Sequence, residues 1–156
     1  MGIGKSDFFM RMALEEAKIA FDLGEIPVGS VVVLDGRVIA KAHNLVETYK
    51  NPLMHAEMIA ISKACRFLQS KYLYKCALYT TLEPCCMCAA SISLSRIEKL
   101  FYGASDDKYG AVESDISFFQ RAQASYKKPD IIYASLCANE SRELMSVFFQ
   151  NLRKLN

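Results

Sequence analysis

Two short clusters in this sequence carry side chains that bind metals or move protons. The first places His55 and Glu57 two positions apart, and the second, about thirty residues further along, is Pro84-Cys85 followed by Cys88. Imidazole and thiolate ligands together favour zinc among the ions available to proteins. The pattern H-x-E followed by P-C-x-x-C therefore predicts a metal-dependent active site.

The two cysteines are spaced to share one face of a helix. Cys85 and Cys88 are three positions apart, and Pro84 suits the first turn because its missing N–H is not needed there. The partial positive charge at a helix start lowers thiol pKa values and so helps to hold two thiolates. We expect both sulfur atoms to ligate the same ion.

His55 is predicted to be the third ligand, and Glu57 the proton carrier. Residues i and i+2 do not share a face inside a helix, but in the first turn both can reach an ion beyond the helix end. Three protein ligands leave one tetrahedral position open for a water molecule, whose pKa zinc lowers toward about 7. Glu57 can take that proton and pass it to a substrate, which is typically worth about 10²–10⁴ in rate.

A closed structural zinc site is the alternative, with Cys86 or His43 as the fourth ligand. Cys86 follows Cys85 directly and is expected to point elsewhere, whereas spacing alone leaves His43 open. The other three cysteines occupy apolar periodic positions that are typical of a core: Cys65, Cys76 and Cys137.

Hydrophobic periodicity and turn residues predict the elements that position these clusters. Helices are expected at residues 6–23, 55–68, 86–95, 116–122 and 139–155, and strands at residues 28–34, 37–42, 76–81, 97–102 and 130–135. The dipeptide Asp35-Gly36 predicts a hairpin between the first two strands. The later strand–helix–strand order predicts parallel crossovers and a sheet covered by helices on both faces. In such α/β sheets the site lies where strands end and helices begin.

Several details of these elements are also predicted. Ser6 or Asp7 is expected to cap the first helix, and Leu23 to face inward at its end. Gly103 is expected to end the fourth strand, and residues 43–52 to form a polar loop.

Composition limits the class of protein. A chain of 156 residues, 52% of them hydrophobic, can form a single domain over residues 1–156 with a full core. A net charge of +2 argues against a polybasic nucleic-acid binder, so any such contact must come from a local patch. No apolar run is long enough to span a bilayer. Six cysteines without a secretion signal predict a reducing compartment and a cytoplasmic location.

The chain resembles the bacterial tRNA-specific adenosine deaminases, a family with the cytidine-deaminase-like fold. The H-x-E and P-C-x-x-C signature marks zinc-dependent nucleobase deaminases. Further similar blocks are Glu25-Ile26-Pro27-Val28-Gly29, Asn44, Thr81-Leu82-Glu83, Tyr102-Gly103-Ala104, Asp106, Lys108 and Gly110-Ala111, and the resemblance extends over residues 8–150. It implies a three-layer α-β-α fold with a central mixed five-stranded sheet.

The resemblance also implies an activity: zinc-dependent hydrolysis of adenosine to inosine at the wobble position of a tRNA anticodon, by a homodimer with one zinc ion per subunit. By the same analogy Asn44 hydrogen-bonds the flipped base, and Asp106 lies beside the ribose. The pocket is walled by Ile26, Pro27 and Leu82. The backbone N–H of Cys85 helps to hold the reacting oxygen.

The sequence departs from the family at two places that bear on tRNA. Ser105 stands where arginine is common, and the last helix has Val147 before Phe148-Phe149 where an acidic residue is usual. From residue 121 onward there are six basic and three acidic residues, a net charge of +3. Phe148 and Phe149 can stack on flanking bases, or they can be core or dimer residues.

Other functions remain open on the sequence alone. A deaminase of a free base or nucleoside, such as guanine or cytidine, would share every zinc residue. A non-catalytic subunit with this fold is disfavoured because Glu57 is present. A homodimer is supported by apolar residues on the helix after the cysteines, namely Met87, Ile92 and Leu94, although that helix can also be buried within one chain.

Overall fold

The computed structural model describes residues 3–114, 117–133 and 137–156, and its elements follow the predicted order with one short helix added. The helices are α1 (Ile3–Asp22), α2 (Val46–Tyr49), α3 (Ala56–Leu68), α4 (Cys86–Leu94), α5 (Phe118–Arg121) and α6 (Ala138–Leu155). The strands are β1 (Gly29–Leu34), β2 (Arg37–His43), β3 (Cys76–Leu82), β4 (Lys99–Ala104) and β5 (Asp130–Tyr133). The predicted element ends at residues 116 and 134–135 lie outside the described residues.

The five strands form one mixed sheet in the order β2-β1-β3-β4-β5. β1 is antiparallel to both of its neighbours, whereas β3, β4 and β5 run parallel. Asp35 and Gly36 join β1 to β2 with φ values of 50° and 75°, as a two-residue hairpin turn of this kind requires. The predicted hairpin and the predicted crossovers are therefore confirmed.

Helices cover both faces of this sheet. On one face α3 and α4 pack against the strands through a core that includes Ala60, Ile92 and Leu100. On the other face α1 and α6 contribute a second core that includes Met10 and Cys137. This arrangement confirms the three-layer α-β-α architecture with a mixed five-stranded sheet.

The structure corrects two predictions about α1. The helix begins at Ile3, so Ser6 and Asp7 lie inside its first turns and do not cap it, and Asp7 instead pairs with Arg11 at 3.2 Å. Leu23 lies beyond the helix end and is 55% exposed. Its predicted inward position is wrong because Gly24 turns the chain with φ of 76°.

Two further predictions, about the loop after β2 and the end of β4, are also wrong. Residues 43–52 are not all loop, since β2 extends to His43 and the four-residue helix α2 follows. Gly103 does not end β4, which continues to Ala104. A Cβ at Gly103 would lie 2.7 Å from the carbonyl oxygen of Thr81, so this glycine lets two strands approach closely.

No helix in the described part of the chain is long and apolar enough to cross a membrane.

Candidate active site

The two predicted clusters meet where β3 ends and two helices begin. His55 is the residue before α3, with extended backbone, and Cys85 occupies the same position before α4. Pro84 is fully buried between the end of β3 and Cys85. Both helix starts therefore direct ligand side chains, and their partial positive charge, into one small space.

The three predicted ligands form one compact group. The Nδ1 atom of His55 lies 3.7 Å from Sγ of Cys85 and 3.6 Å from Sγ of Cys88. Ordinary Zn–N and Zn–S bonds in a tetrahedral arrangement place nitrogen and sulfur about 3.6 Å apart. The ligand atoms all lie within 4.8 Å of one another, so these residues fit a zinc ion.

The two thiols are electrostatically unequal before a cation binds. The hydrogen bond from Cys88, supported by one from His55, lowers the pKa of Cys85 to about 4. The same contact with Cys85, together with burial, raises the pKa of Cys88. Cys85 therefore gives up its proton more readily than Cys88, and a bound cation would displace the proton of Cys88 as well.

Glu57 lies beside this group, in the first turn of α3. Its side chain is only 4% exposed, and burial raises the pKa of the carboxyl group. The Cys88 thiol is close enough to donate a hydrogen bond to it. The predicted proton carrier is thus next to the predicted ligands and shielded from bulk water.

The two candidates for a fourth protein ligand lie elsewhere. Cys86 is exposed, and it does not join the His55, Cys85 and Cys88 group. His43 donates from Nδ1 to Oε2 of Glu16 at 2.7 Å. Among the described residues no other histidine, cysteine or carboxylate joins the group, which leaves one tetrahedral position for water or substrate.

The residues predicted to contact a base surround the site unevenly. Asn44 follows β2 and is buried, and its backbone N–H donates to the carbonyl of Val28 at 3.1 Å. Leu82 ends β3 and is half-buried. Ile26 is 40% exposed, whereas Pro27 is fully buried, so of these two only Ile26 presents its side chain to solvent.

The predicted aromatic pair on α6 divides between two environments. Phe148 is half-buried and meets Phe21 of α1 edge-on, with ring centroids 6.0 Å apart. Phe149 is more exposed, at 36%. Of the two, Phe149 therefore presents the larger fraction of its surface to solvent.

Two buried carboxylates lie in blocks that resemble the family, but the sequence alone assigned neither of them a role. Glu25, 1% exposed, accepts hydrogen bonds from the backbone of Glu47 and from both the backbone and the hydroxyl of Thr48, and so caps α2. Glu83, 2% exposed, accepts hydrogen bonds from the loop after β4. The sequence carries one signal for each: Glu25 stands between glycine and isoleucine, and Glu83 between leucine and proline. An acidic residue among such neighbours can indicate a buried carboxylate with hydrogen-bond partners.

Asp106 belongs to the loop after β4, which spans residues 105–114. Its Oδ1 atom accepts the backbone N–H groups of Lys108 and Tyr109 at 3.0 and 3.1 Å. The carbonyl of Pro84 accepts the N–H of Ala111 at 2.9 Å, which fastens the loop directly beside the ligand Cys85.

Comparisons with known proteins agree with this geometry. The family model described as the cytidine and deoxycytidylate deaminase zinc-binding region matches residues 4–104. A tRNA-specific adenosine deaminase of Rickettsia typhi is 48% identical, over 92% of this chain and 97% of its own length.

Two solved structures are similar to this chain in fold and in sequence. One from a study of A-to-I editing at the wobble position of transfer RNA has a TM-score of 0.83 and 46% identity, covering 88% of this chain and 98% of its own. A guanine deaminase from Bacillus subtilis has a TM-score of 0.63 and 33% identity, covering 94% and 92%. On the zinc-ligand geometry and these matches, the chain belongs to the tRNA-specific adenosine deaminases, a family of zinc-dependent hydrolases with the cytidine and deoxycytidylate deaminase zinc-binding region.

Proposed function

We propose that this chain hydrolyses adenosine at the wobble position of a tRNA anticodon, giving inosine and ammonia, and is therefore an RNA-editing enzyme. The observation that carries the proposal is the grouping of His55, Cys85 and Cys88 at zinc-ligand distances beside the buried Glu57. The 48% identity with a tRNA-specific adenosine deaminase over nearly the whole chain supports the choice of substrate.

The chemistry follows from the positions of these side chains. His55, Cys85 and Cys88 would hold a zinc ion, which would supply a Lewis acid that lowers the pKa of a nearby water molecule. Glu57 would take a proton from this water at its carboxylate and give it to N1 of the adenine ring as the water oxygen bonds to C6. A second proton would pass from that oxygen through Glu57 to the amino group, and the C6–N bond would then break, leaving a carbonyl oxygen on C6 and releasing ammonia. The buried position of Glu57 beside the ligand group suits a side chain that must both accept and return a proton at the substrate.

Binding of the base is assigned to residues around the same opening. Asn44 is buried, and its side-chain amide can both donate and accept hydrogen bonds, which suits recognition of the edge of a flipped base. We assign Ile26, Pro27 and Leu82 to the wall of the pocket and Asp106 to the ribose. A base in an anticodon loop is already unstacked, so extruding it costs little.

The rest of the RNA is assigned to α6. Phe148 and Phe149 are proposed to stack on bases that flank the target, and the 36% exposure of Phe149 makes it the stronger contributor. Basic residues in the last turn of this helix, Arg153 and Lys154, are available for phosphate contacts.

The test is nucleoside analysis after incubating the zinc-loaded protein with an unmodified anticodon stem-loop that carries adenosine at the wobble position. We expect inosine at that position. A stem-loop with adenosine at a neighbouring position and free adenosine serve as matched substrates, and we expect little product from either. Absence of inosine from the wobble substrate would refute the proposal.

Deamination of a free base is the second candidate, because a guanine deaminase has the same fold and 33% identity. It would share the zinc group and Glu57. Guanine and cytidine are therefore included as substrates in the same assay. Turnover of either, with none on the stem-loop, would favour this candidate.

We also propose that two copies pair in the cytoplasm. Leu94 at the end of α4 is 58% exposed and Met87 is half-buried, whereas Ile92 is fully buried in the core and cannot contribute. Cytoplasmic location is supported by six free cysteines.

Sedimentation of the protein and of the Leu94→Glu variant tests the pairing. We expect a dimer for the first and a monomer for the second, and cell fractionation tests the location.

A further inference from the structure

Glu83 is a buried carboxylate that neither binds the metal nor carries the proton. It lies between Leu82, at the end of β3, and Pro84, which precedes the ligand Cys85. Its backbone N–H donates to the carbonyl of Ala104 at 2.8 Å, so its main chain continues the pairing of β3 with β4. Its side chain faces the 105–114 loop, which carries Asp106.

Both oxygen atoms of Glu83 are occupied by that loop. Oε1 accepts three successive backbone N–H groups, from Val112, Glu113 and Ser114, at 3.1, 2.8 and 2.9 Å. Oε2 accepts the N–H of Asp106 at 3.0 Å and the hydroxyl of Ser114 at 2.6 Å. Successive N–H groups that converge in this way form an anion-binding concavity, and here the anion is part of the same chain.

Gly110 packs closely against both the Glu83 carboxylate and the backbone of the loop. A Cβ at this position would lie 2.4 Å from Oε2 of Glu83 and 2.3 Å from the carbonyl oxygen of Asp106. A side chain at Gly110 would therefore displace either the carboxylate or the loop.

We propose that Glu83 is a positioning residue that holds the 105–114 loop, and with it Asp106, in the geometry that receives the RNA substrate. The proposal rests on the proposed function for its substrate, but the hydrogen bonds that support it do not. One side chain, two residues before a zinc ligand, joins the metal-binding segment to the segment assigned to the ribose. Contacts made before the chemical step affect substrate binding and transition state alike, so a displaced loop should act mainly on KM.

Glu83→Gln is the most informative variant, because it keeps the shape and removes one acceptor. A glutamine can keep its oxygen toward the three successive amides and turn its NH₂ toward Ser114, whose hydroxyl can accept. The N–H of Asp106 is then the group left without a partner. Hydrogen exchange of the zinc-loaded protein should therefore become faster at Asp106, with the amides of Val112, Glu113 and Ser114 still protected. Glu83→Ala should release all four amides.

Activity and zinc content complete the test. With zinc retained, we expect Glu83→Ala to lower kcat/KM on the stem-loop about 100-fold, mainly through KM, since small displacements at a site have effects of this size. Glu83→Gln should lie between Glu83→Ala and the unaltered protein. Glu113→Gln is the matched control, because its side chain is in the same loop but accepts none of the four amides.

Four results would overturn the proposal. They are unchanged exchange at Asp106 in Glu83→Gln, loss of zinc from that variant, unchanged kcat/KM despite a freed Asp106 amide, and a fall confined to kcat, which would place Glu83 at the reacting atoms. If the unaltered protein makes no inosine, the proposed function fails separately, and hydrogen exchange still decides whether Glu83 holds the loop.

Discussion

At the residue scale, Glu57 combines burial with contact to a zinc ligand. Burial raises the pKa of its carboxyl group, and its side chain lies beside Cys88. A carboxylate in this environment is a better proton acceptor than an exposed one. Its place two residues after His55 brings ligand and base to the same opening without a long loop.

Glu57→Gln is expected to abolish turnover and leave the metal in place. The amide cannot accept and return a proton, so the rate should fall by at least about 10²–10⁴. Zinc content measured by elemental analysis should stay equal to that of the unaltered protein, because Glu57 is not one of the three grouped ligands. Activity within twofold of the unaltered protein would remove Glu57 from the mechanism.

Adjacent cysteines provide a matched pair of variants. Cys85→Ser should lose zinc, because Cys85 is one of the three grouped ligands and a serine hydroxyl is a poor substitute for a thiolate. Cys86→Ser should keep zinc, because Cys86 is exposed and outside the group. Elemental analysis of both proteins after dialysis checks this. Equal zinc loss from the two variants would contradict the three-ligand site.

The zinc ligands and Glu57 were predictable because their chemistry depends on residue type and short spacing. Glu25 and Glu83 were not, because their roles depend on loops far along the chain. Glu83 accepts hydrogen bonds from residues 23 to 31 positions away. No local pattern carries that information, and an isolated glutamate is ordinarily read as a solvent-exposed side chain.

At the element scale, the predicted helices and strands formed wherever the hydrophobic period was long. Helix α2 formed without such a period: it has only four residues, and its N-cap residue makes no side-chain hydrogen bond. A helix this short has little intrinsic stability. It forms because Glu25, from the segment before β1, accepts the N–H groups of Glu47 and Thr48. Among the elements that the structure describes, α2 is therefore the one that the sequence did not predict, and tertiary contacts stabilise it.

Helix α1 approaches β1 closely at Gly29. A Cβ there would lie 1.9 Å from the carbonyl oxygen of Ala13 and 2.5 Å from the backbone nitrogen of Ala17. Because both atoms belong to helix backbone, Gly29→Ala must shift α1. We expect the free energy of unfolding to fall by about 1–3 kcal/mol or more, measured by urea denaturation.

Gly4→Ala is the control for that measurement. Gly4 also belongs to α1, but nothing lies within 4 Å of a Cβ at this position. Replacing glycine in a helix interior typically stabilises the helix by about 0.5–1 kcal/mol, so at this first-turn position we expect a gain no larger than that. Equal effects of the two substitutions would show that the contact between α1 and β1 does not limit stability.

At the scale of the whole molecule, low net charge limits how the protein can hold RNA. The net charge of the chain is only +2. From residue 121 onward it is +3, because that part contains six basic and three acidic residues. Affinity for RNA must therefore depend on a few phosphate contacts and on stacking. The composition predicted this balance, whereas the position of the aromatic rings required the structure.

The salt dependence of binding separates these two contributions. For about four phosphate contacts, the slope of log K against log salt should be about −3. Arg153→Ala should reduce the steepness of this slope by about 1. Phe149→Ala should weaken binding by about 1–3 kcal/mol and leave the slope unchanged. Fluorescence anisotropy with an inactive variant and a labelled stem-loop measures both, and identical effects of the two substitutions would refute the division of roles.

The helices that begin at the zinc ligands and the helix assigned to RNA lie on opposite faces of the sheet, and this separation has an evolutionary consequence. The helices that begin at the zinc ligands, α3 and α4, pack on one face, whereas α6 packs with α1 on the other. The family match ends at residue 104, before α6 begins. Substitutions on the exposed side of α6 can therefore alter which nucleic acid is held without disturbing the metal geometry. Selection on substrate range and selection on catalysis can then act on separate surfaces of one small fold.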